Sequence, residues 1–302
     1  MRIRVLFPFM QKYIPGNPAI VSEYMPGGGG RKAANYVYNT ARPDGLTVGS
    51  PAPGVIFSAV VGETGVLYDI DKFIYLGTPL SVMHNVFFTR KEVGLNTLEK
   101  LRAATGVRIG VQQVGHPDWV IGRLFAWLLG LREPKFVAAY SATERDPALM
   151  RGETDAMTRG PDILRTRNRE WVTKGLIDMH AILETPKGKK DPDFGYLPEL
   201  ESFTKSERER KVLALFRTTR LFGQPLVIRS GTPRERVEIL QEAMRKTYRD
   251  PEFHEAWKKL TGGDPTPLMP EDLEKALREL PRDPQVVELF KKMVGLEPLP
   301  PR

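Results

Sequence analysis

Apolar and polar positions alternate along the first third of the chain in blocks that predict strands and helices in turn. A short apolar run at 20–24 precedes a cluster of glycines, and apolar residues at helical spacing predict a helix over 31–41. Residues 42–45, Arg-Pro-Asp-Gly, predict a turn, and a second apolar run follows at 46–50. This order indicates a strand–helix–strand unit with parallel strands.

The middle of the chain repeats this alternation and predicts a second α/β domain. Strands are predicted where β-branched and aromatic residues cluster, at 73–76, 86–89, 107–111, 136–140, 155–158 and 179–183. Asn96 and Glu99 form a potential capping box that would open a short helix. A longer helix is predicted from Pro117 onwards. Its buried stripe is formed by Val120, Ile121, Leu124, Phe125, Leu128 and Leu129.

The last third of the chain is predicted to be helical. Thr232 as N-cap and Pro233 as first residue indicate one helix start. Further helices are predicted at 271–280 and 286–294, and the prolines of 298–301 predict an extended segment.

The length of 302 residues corresponds to about two domains at ~150 residues each. The order of the predicted elements favours a first domain that is interrupted by a second and then resumes. We therefore expect lobe 1 to comprise 1–104 and 219–302, and lobe 2 to comprise 105–218.

Composition excludes several classes of protein. With 41% hydrophobic and 27% charged residues the chain is typical of a globular protein, and the formal charge of +8 is modest. The chain has no Cys, which excludes disulfides, thiolate catalysis and sulfur-ligated metals. No apolar run approaches the ~20 residues of a membrane-spanning helix. Residues 1–10 lack the pattern of a signal peptide.

No motif for catalysis, cofactor chemistry or nucleic-acid binding stands out. No basic strip interleaved with aromatic residues occurs, so we expect no nucleic-acid partner. Nucleophile elbows and paired catalytic carboxylates are also missing. We therefore expect neither a metal nor a cofactor, and no enzymatic activity. The four histidines, His84, His116, His180 and His254, do not have metal-ligand spacing.

The four glycines 27–30 are the most specific local feature. They precede a predicted helix, whose free N–H groups and dipole favour an anion. A mononucleotide P-loop is excluded, because Lys32 is followed by Ala33 rather than Ser or Thr. Three interpretations stay open: a dinucleotide, a small carboxylate, or a tight turn without a ligand. Gly28, Gly30 and Ala33 fit the dinucleotide pattern, but Ser50 and Pro51 stand where its ribose-binding acid is expected.

A second helix start with anion-binding character is predicted at 115–117, Gly-His-Pro. The alternative for His116 is an exposed loop residue or a substitute N-cap. Arg159 follows the strand 155–158 and is placed to bind a carboxylate with both arms of its guanidinium. The alternative for Arg159 is an ion pair with Asp162 or Asp155.

Several motifs together resemble one known family. The N-terminal ones are Ile14–Pro18, Met25–Gly30, Ala33–Tyr36 and Pro43–Gly45. Later ones in the same order are Phe73–Gly77, Arg151–Asp155 and Asp250–Phe253. With these motifs the chain resembles, from Arg4 to Lys292, the solute receptors of tripartite tricarboxylate transporters, the Bug and TctC-like substrate-binding proteins.

The resemblance implies a type II periplasmic-binding-protein fold: two α/β lobes with a hinge, and a small carboxylate bound in the cleft between them. It also implies a periplasmic, non-catalytic receptor with membrane transporter subunits as partners, which we expect to be a monomer. The alternative is a dinucleotide-binding oxidoreductase that uses the Gly28–Ala33 turn. By position, the implied ligand-binding residues are Gly28, Gly29, Gly30, Arg31, Ser50, Gln113, Val114, Gly115, His116, Thr158 and Arg159.

The chain differs from the family pattern in two places. Family members often have Ser or Thr with His in the second loop, whereas this chain has His116, Pro117 and Asp118. A carboxylate at 118 would repel an anionic ligand if it faced inward. Residues 1–12 correspond to the first helix of the family, so its first strand and a signal peptide would be expected upstream.

Overall fold

The computed structural model describes residues 2–138, 140–141 and 143–302. Its strands are β1 (Ile74–Gly77), β2 (Asn85–Arg90), β3 (Arg108–Val111), β4 (Lys135–Ala138), β5 (Ala156–Arg159), β6 (Ile177–Leu183) and β7 (Leu226–Ile228). Its α-helices are α1 (Phe7–Tyr13), α2 (Arg31–Asn39), α3 (Val55–Val60), α4 (Leu98–Ala103), α5 (Pro117–Leu129), α6 (Arg145–Met150), α7 (Pro161–Arg165), α8 (Arg169–Thr173), α9 (Glu207–Leu221), α10 (Arg234–Arg249), α11 (Pro251–Thr261), α12 (Pro270–Arg278) and α13 (Pro284–Val294).

The chain divides into two units, each made of two segments. Unit 1 comprises Met1–Val82 and Phe216–Leu280, and unit 2 comprises Met83–Leu215 and Pro281–Arg302. The predicted lobes differ from these units in residues 83–104 and 281–302, which belong to unit 2, and in residues 216–218, which belong to unit 1. The first of these segments contains β2, which pairs with two strands of unit 2. The second contains α13, which packs against α5 of unit 2.

In unit 1, strands β1 and β7 pair antiparallel, with Ile74 opposite Ile228. Helices α1, α10, α11 and α12 surround this pair, because each has one apolar face that must leave water. The core is formed by Leu6, Met10, Leu76, Leu226, Ile228, Met244, Tyr248, Phe253 and Trp257.

In unit 2, the sheet has the strand order β4-β3-β5-β2-β6. Strand β3 is parallel to β4 and β5, with Ile109 opposite both Phe136 and Ala156. Strand β2 is antiparallel to β5 and β6. Parallel strands end at the same edge of a sheet, so the segments that follow β3, β4 and β5 emerge together. We call this the carboxyl edge.

Helix α5 follows β3 and is mostly apolar on every side, as is typical of a helix buried in a core, with Asp118 and Arg123 as its charged residues. Residues Asp118–Leu129 are all buried, so the predicted stripe of this helix is confirmed. Gly122 allows α5 to lie close to the sheet, because a Cβ there would be 3.4 Å from Ile109 Cγ2. Gly130, with φ of 73°, ends the helix.

The predicted parallel strand pair in the first third is wrong. Residues 20–24 form no strand, and Val21 and Tyr24 are 88% and 61% exposed, so their β-forming side chains cover no core. Of 46–50, only Gly49 joins a sheet, as an antiparallel bridge to Val227. The helix and the turn between these runs are confirmed as α2 and a turn at Pro43–Asp44.

The remaining strands are confirmed within one or two residues of their predicted bounds. Ala139, at the end of the predicted strand 136–140, lies outside the described residues. Two predicted caps are wrong by one position. The N-cap of α4 is Thr97, whose hydroxyl accepts from Lys100 N, rather than Asn96. The N-cap of α10 is Pro233, because the Thr232 hydroxyl donates to Arg229 O instead.

No helix in the described part of the chain is long and apolar enough to cross a membrane.

Candidate functional site

The carboxyl edge of the unit 2 sheet brings several predicted site residues together. Gln113–His116 follow β3, and Thr158 and Arg159 end β5. The crossover after β4 delivers α6 and its first two residues, Arg145 and Asp146, to the same edge. Ligands of open α/β sheets bind outside the carboxyl ends of parallel strands. This edge is therefore the place in unit 2 where a ligand site is expected.

His116 is the N-cap of α5, as one of its two sequence interpretations proposed. Its Nδ1 lies 3.4 Å from Asp118 N and also contacts the Asp118 carboxylate. Gln113, Val114 and Gly115 form the preceding turn and are exposed, with Val114 at 44%. The turn leaves main-chain groups at the helix start accessible, where the helix dipole favours an anion.

Asp118 turns inward and is buried. Its Oδ2 accepts from Gln112 N at 3.2 Å and forms an ion pair with Arg145. Burial raises the pKa of Asp118, but the hydrogen bond with His116 and the charge of Arg145 outweigh this, and its pKa lies below its usual value. Because Asp118 is neutralised by Arg145, its carboxylate does not repel an anion as an unpaired one would.

Arg159 is also buried, and its Nη2 donates to Asp146 Oδ1. Asp146 Oδ2 accepts from Asn168 Nδ2 at 3.1 Å and lies 3.2 Å from Arg167 Nε. The alternative of an ion pair for Arg159 is thus confirmed, but its partner was predicted wrongly. Asp155 forms an ion pair with Arg108 instead, at the opposite edge of the sheet, where Asp155 Oδ2 lies 3.0 Å from Arg108 Nε.

These side chains form one cluster with a surplus of positive charge, which we call the arginine cluster. Arg145, Arg159 and Arg167 contribute three positive charges, and Asp118 and Asp146 contribute two negative ones. The charge of Arg159 is close enough to lower the pKa of Arg145, which burial and this repulsion bring to about 10. The Nε atoms of Arg145 and Arg159 are buried without a hydrogen-bond partner. The side chain of Arg167 is 51% exposed, so the surplus charge lies at the solvent side of the cluster, while the unpaired buried N–H groups of Arg145 and Arg159 cost free energy unless an acceptor joins them.

Thr158 is buried in β5 and pairs with Phe87 of β2. Its strand position places it next to Arg159, at the base of the arginine cluster. Unlike the turn 113–116, it has no exposed surface to offer a ligand in this structure.

In unit 1, the glycine turn adopts a conformation that requires glycine. Gly27, Gly28, Gly29 and Gly30 all have positive φ, from 58° to 126°. Residues 28–30 form a short 3₁₀ turn that leads directly into α2, and Gly30 is its N-cap without a side-chain partner. Gly30 supplies no capping side chain, but its N–H donates to Gly27 O at 3.1 Å and that of Arg31 donates to Gly28 O, so these two groups are not free as the sequence predicted.

Ser50 lies beside this turn. A Cβ on Gly30 would be 2.6 Å from Ala52 Cβ and 2.7 Å from Ala52 N, so the two segments touch. The Oγ of Ser50 is buried and has no hydrogen-bond partner. An unsatisfied buried hydroxyl costs about 1–3 kcal/mol, and a ligand that bonds to it would remove this cost.

Arg31 is not free to bind a ligand by charge alone. Its Nη1 donates to Glu63 Oε2, which also accepts from Ser58 Oγ at 2.9 Å. The guanidinium therefore has a carboxylate partner already. Any contribution of Arg31 to a ligand site must come from its remaining donors.

Two alternative kinds of site find little support. A dinucleotide turn needs a strand immediately before it, and residues 20–26 have no regular secondary structure. Among the described residues, no group of three or more His, Cys, Asp or Glu side chains is placed to hold a metal ion.

Sequence reasoning missed Arg145, Asp146, Arg167 and Asn168. The available signal was the predicted parallel sheet, since the segment after its strand 136–140 must return to the carboxyl edge. That rule would have selected Arg145 and Asp146, which begin the next helix.

No protein-family model matches the chain, and no curated protein matches it by sequence. Solved structures do match. A TctC solute-binding protein from Polaromonas has a TM-score of 0.69 and 17% identity, over 97% of this chain and 92% of that one. The periplasmic binding protein BugD has a TM-score of 0.60 and 20% identity, over 97% and 92%. MatC from Rhodopseudomonas palustris with bound malate has a TM-score of 0.61 and 19% identity, over 97% and 93%.

These likenesses extend over nearly the whole chain. They confirm the predicted α/β fold of the type II periplasmic-binding-protein class and, at the level of the fold, the resemblance to TctC and Bug proteins.

Proposed function

We propose that the protein is a non-catalytic solute receptor that binds a small carboxylate. The observation that carries this proposal is the pair of buried guanidinium groups, Arg145 and Arg159, whose Nε atoms have no hydrogen-bond partner, in a cluster with one surplus positive charge. A single carboxylate would make the cluster neutral and accept from the free Nε atoms of Arg145 and Arg159. The fold of solute-binding proteins supports the same function, and one structure of this fold, MatC, holds malate.

The ligand is held in this proposal by charge as well as by main-chain donors. His116 and the exposed turn 113–115 supply the start of α5, and Arg145 and Arg159 supply the guanidinium groups. Unit 1 has donors of its own at the proposed site residues Gly28, Gly29 and Ser50, the last through a buried hydroxyl without a partner. Arg31, which follows Gly30, and Thr158, which precedes Arg159, are the remaining residues of the proposed site.

By analogy with the proteins of this fold, the receptor is periplasmic and delivers its ligand to membrane subunits of a tripartite tricarboxylate-type transporter. The chain acts as a monomer in this proposal, without a cofactor.

A binding screen tests the function. Malate, citrate, longer dicarboxylates, aromatic carboxylates and NAD are added to the full chain, and the melting temperature is measured. A ligand at a hundredfold excess over Kd adds about 2.7 kcal/mol to the free energy of unfolding, which is a readily visible shift. Stabilisation by NAD alone would favour the dinucleotide alternative, and no stabilisation by any carboxylate would contradict the receptor.

A matched pair of variants tests the site. Arg159→Met removes the surplus charge and leaves Asp146 with Arg167, so the ligand-free chain should stay folded. We expect the carboxylate found in the screen to bind about 10- to 150-fold more weakly, the range for a charged hydrogen bond. Arg108→Met, at the opposite edge of the same sheet, should leave Kd unchanged. Equal affinities of both variants by titration calorimetry would reject the arginine cluster as the site.

A further inference from the structure

The last eight residues of the chain, 295–302, lie on unit 2 in an unusual way. We call this segment the tail. It has no regular secondary structure, and Leu296 is 72% exposed. Most of its side chains face solvent, so the segment is not attached by a hydrophobic face. Its attachment comes instead from main-chain carbonyls and one arginine.

Three side chains of α5 hold two carbonyls of the tail and that of Val294, the last residue of α13. Trp119 Nε1 donates to Val294 O at 2.7 Å, Arg123 Nη2 donates to Glu297 O at 2.6 Å, and Trp127 Nε1 donates to Pro300 O at 2.9 Å. On the helix these donors stand four residues apart, on one face. We call Trp119, Arg123 and Trp127 the carbonyl-binding face.

The acceptors stand three residues apart along the chain, at 294, 297 and 300. A polyproline II helix has three residues per turn, so every third carbonyl points the same way. Val294 still belongs to α13 and residues 295–297 form bends, so this geometry applies to the part of the tail from Glu297 to Pro301. Pro298, Pro300 and Pro301 have fixed φ, and each restricts the residue before it to extended backbone. The tail therefore presents a row of carbonyls to a row of donors.

The three donor side chains are buried and are held in place by their neighbours. All three side chains are at most 4% exposed, and Arg123 lies 5.2 Å from the Trp119 ring and 5.1 Å from the Phe136 ring. Arg123 Nε also donates to Met293 O. A surface cavity of about 710 Å³ is lined by all three donors and Phe136 together with residues of the tail.

Arg302 fixes the end of the tail. Its Nε and Nη2 bind Glu209 at 3.0 and 2.8 Å, and its donors also reach Leu128 O at 2.8 Å and Phe203 O at 2.7 Å. The Glu209 side chain is only 3% exposed, and burial of this carboxylate makes a specific cationic partner necessary. Indole donors for the carbonyls and a carboxylate for a flanking arginine are features of grooves that bind proline-rich peptides.

We propose that the carbonyl-binding face, together with Glu209, is a recognition site for an extended proline-containing peptide followed by an arginine. Residues 295–302 are its resident ligand, which is held in cis and is exchangeable with the same segment supplied in trans. This site shares no residue with the arginine cluster, and its operation does not depend on the carboxylate.

The test uses the full chain and a fluorescent peptide of residues 293–302 with an amidated end. Arg302→Ala in the full chain weakens the resident tail, which otherwise competes at an effective concentration in the millimolar range. By fluorescence anisotropy, we expect the peptide to bind this variant at least tenfold more tightly than the unaltered chain. A peptide with Ala at 298, 300 and 301 should bind at least tenfold more weakly, because it is not pre-organised.

Two controls assign the binding to this face. Adding Trp127→Phe, which keeps an aromatic ring but lacks the donor, or Glu209→Gln to the Arg302→Ala chain should weaken the peptide at least fivefold. Circular dichroism checks that each variant is folded. Lack of peptide binding to the folded Arg302→Ala chain at millimolar concentration would overturn the proposal, as would binding that neither control changes.

Hydrogen exchange tests the proposal on the unaltered chain, without any substitution. If the tail detaches locally, the indole N–H of Trp127 exchanges with solvent much faster than global unfolding allows, and excess peptide changes its NMR signal. Exchange of this hydrogen only on global unfolding would show a fixed structural element and overturn the proposal.

Discussion

The guanidinium of Arg145 contacts the carboxylate of Asp118 in a pair that is almost fully shielded from water, with side-chain exposures of 7% and 10%. The two residues belong to different helices, α6 and α5, which the crossovers after β4 and β3 bring to one edge of the sheet. Because neither charge is solvated, each depends on the other. The pair therefore links the local fold to the electrostatics of the proposed site.

We expect Asp118→Asn to lower the free energy of unfolding by about 3–5 kcal/mol, because it leaves Arg145 buried without its counter-charge. Chemical denaturation at pH 7 measures this change. The matched control is Asp193→Asn, whose carboxylate is 57% exposed beside Arg165 and should change the free energy by less than about 1 kcal/mol. Similar effects of the two substitutions would contradict the buried character of the Asp118 pair.

The stability of the chain should fall as the solution is acidified below neutrality. Burial lowers the pKa of His180 from 6.5 to about 4, and its Nε2 lies 2.8 Å from the Thr89 hydroxyl. The unfolded imidazole takes a proton near pH 6.5, whereas the folded one stays neutral. Protons therefore favour the unfolded state, and the free energy of unfolding falls between pH 6.5 and about 4 by on the order of 3 kcal/mol.

Denaturation curves across this pH range check the histidine prediction. In His180→Gln the dependence on pH should be clearly shallower than in the unaltered chain. It should not vanish, because burial also lowers the pKa of His84. An unchanged slope in His180→Gln would show that His180 is not the group that titrates.

Two glycines in similar backbone conformations should differ in their tolerance of alanine. Gly30 and Gly115 have φ of 96° and 79°, but a Cβ would meet Ala52 at 2.6 Å in the first case and nothing within 4 Å in the second. Both substitutions cost about 1–3 kcal/mol of backbone strain. Gly30→Ala should cost about 1–3 kcal/mol more, because the segment 50–52 must move. Thermal unfolding of the two variants measures the difference, and equal costs would argue against the close approach.

Ser50→Ala should stabilise the ligand-free chain. Removing a buried hydroxyl without a partner should raise the free energy of unfolding by about 1 kcal/mol. Thermal unfolding measures this change. A loss of stability in the ligand-free variant would mean that the hydroxyl already has a structural role.

The parts of the fold that the sequence predicts well are those specified locally. The unit β3–turn–α5 follows from an apolar run, a Gly-His-Pro helix start and a stripe of apolar residues, and all three signals lie within one stretch of chain. The run 20–24 shows the limit of such signals. Its residues favour extended backbone, but a strand forms only where a partner accepts its hydrogen bonds, and local propensity does not report the partner.

The arginine cluster illustrates the same limit at the level of the site. The sequence offers Asp155 or Asp162 as ion-pair partners of Arg159, both of them its neighbours along the chain, whereas the partner in the structure, Asp146, comes from α6. That contact depends on the parallel order of β3, β4 and β5, which is a property of the assembled sheet. The orientation of Asp118 was equally undetermined, because its inward position is stable only with Arg145 present.

The meeting of three strand exits at one edge has a consequence for how recognition can diversify. Each of these exits is encoded by its own stretch of sequence. The hydrogen bonds of the sheet join the strands themselves, so they do not depend on which residues those stretches contain. Replacing one exit by that of a relative would therefore change the proposed ligand site while the strands keep their register. New ligand preferences can then arise by exchanging one exit at a time.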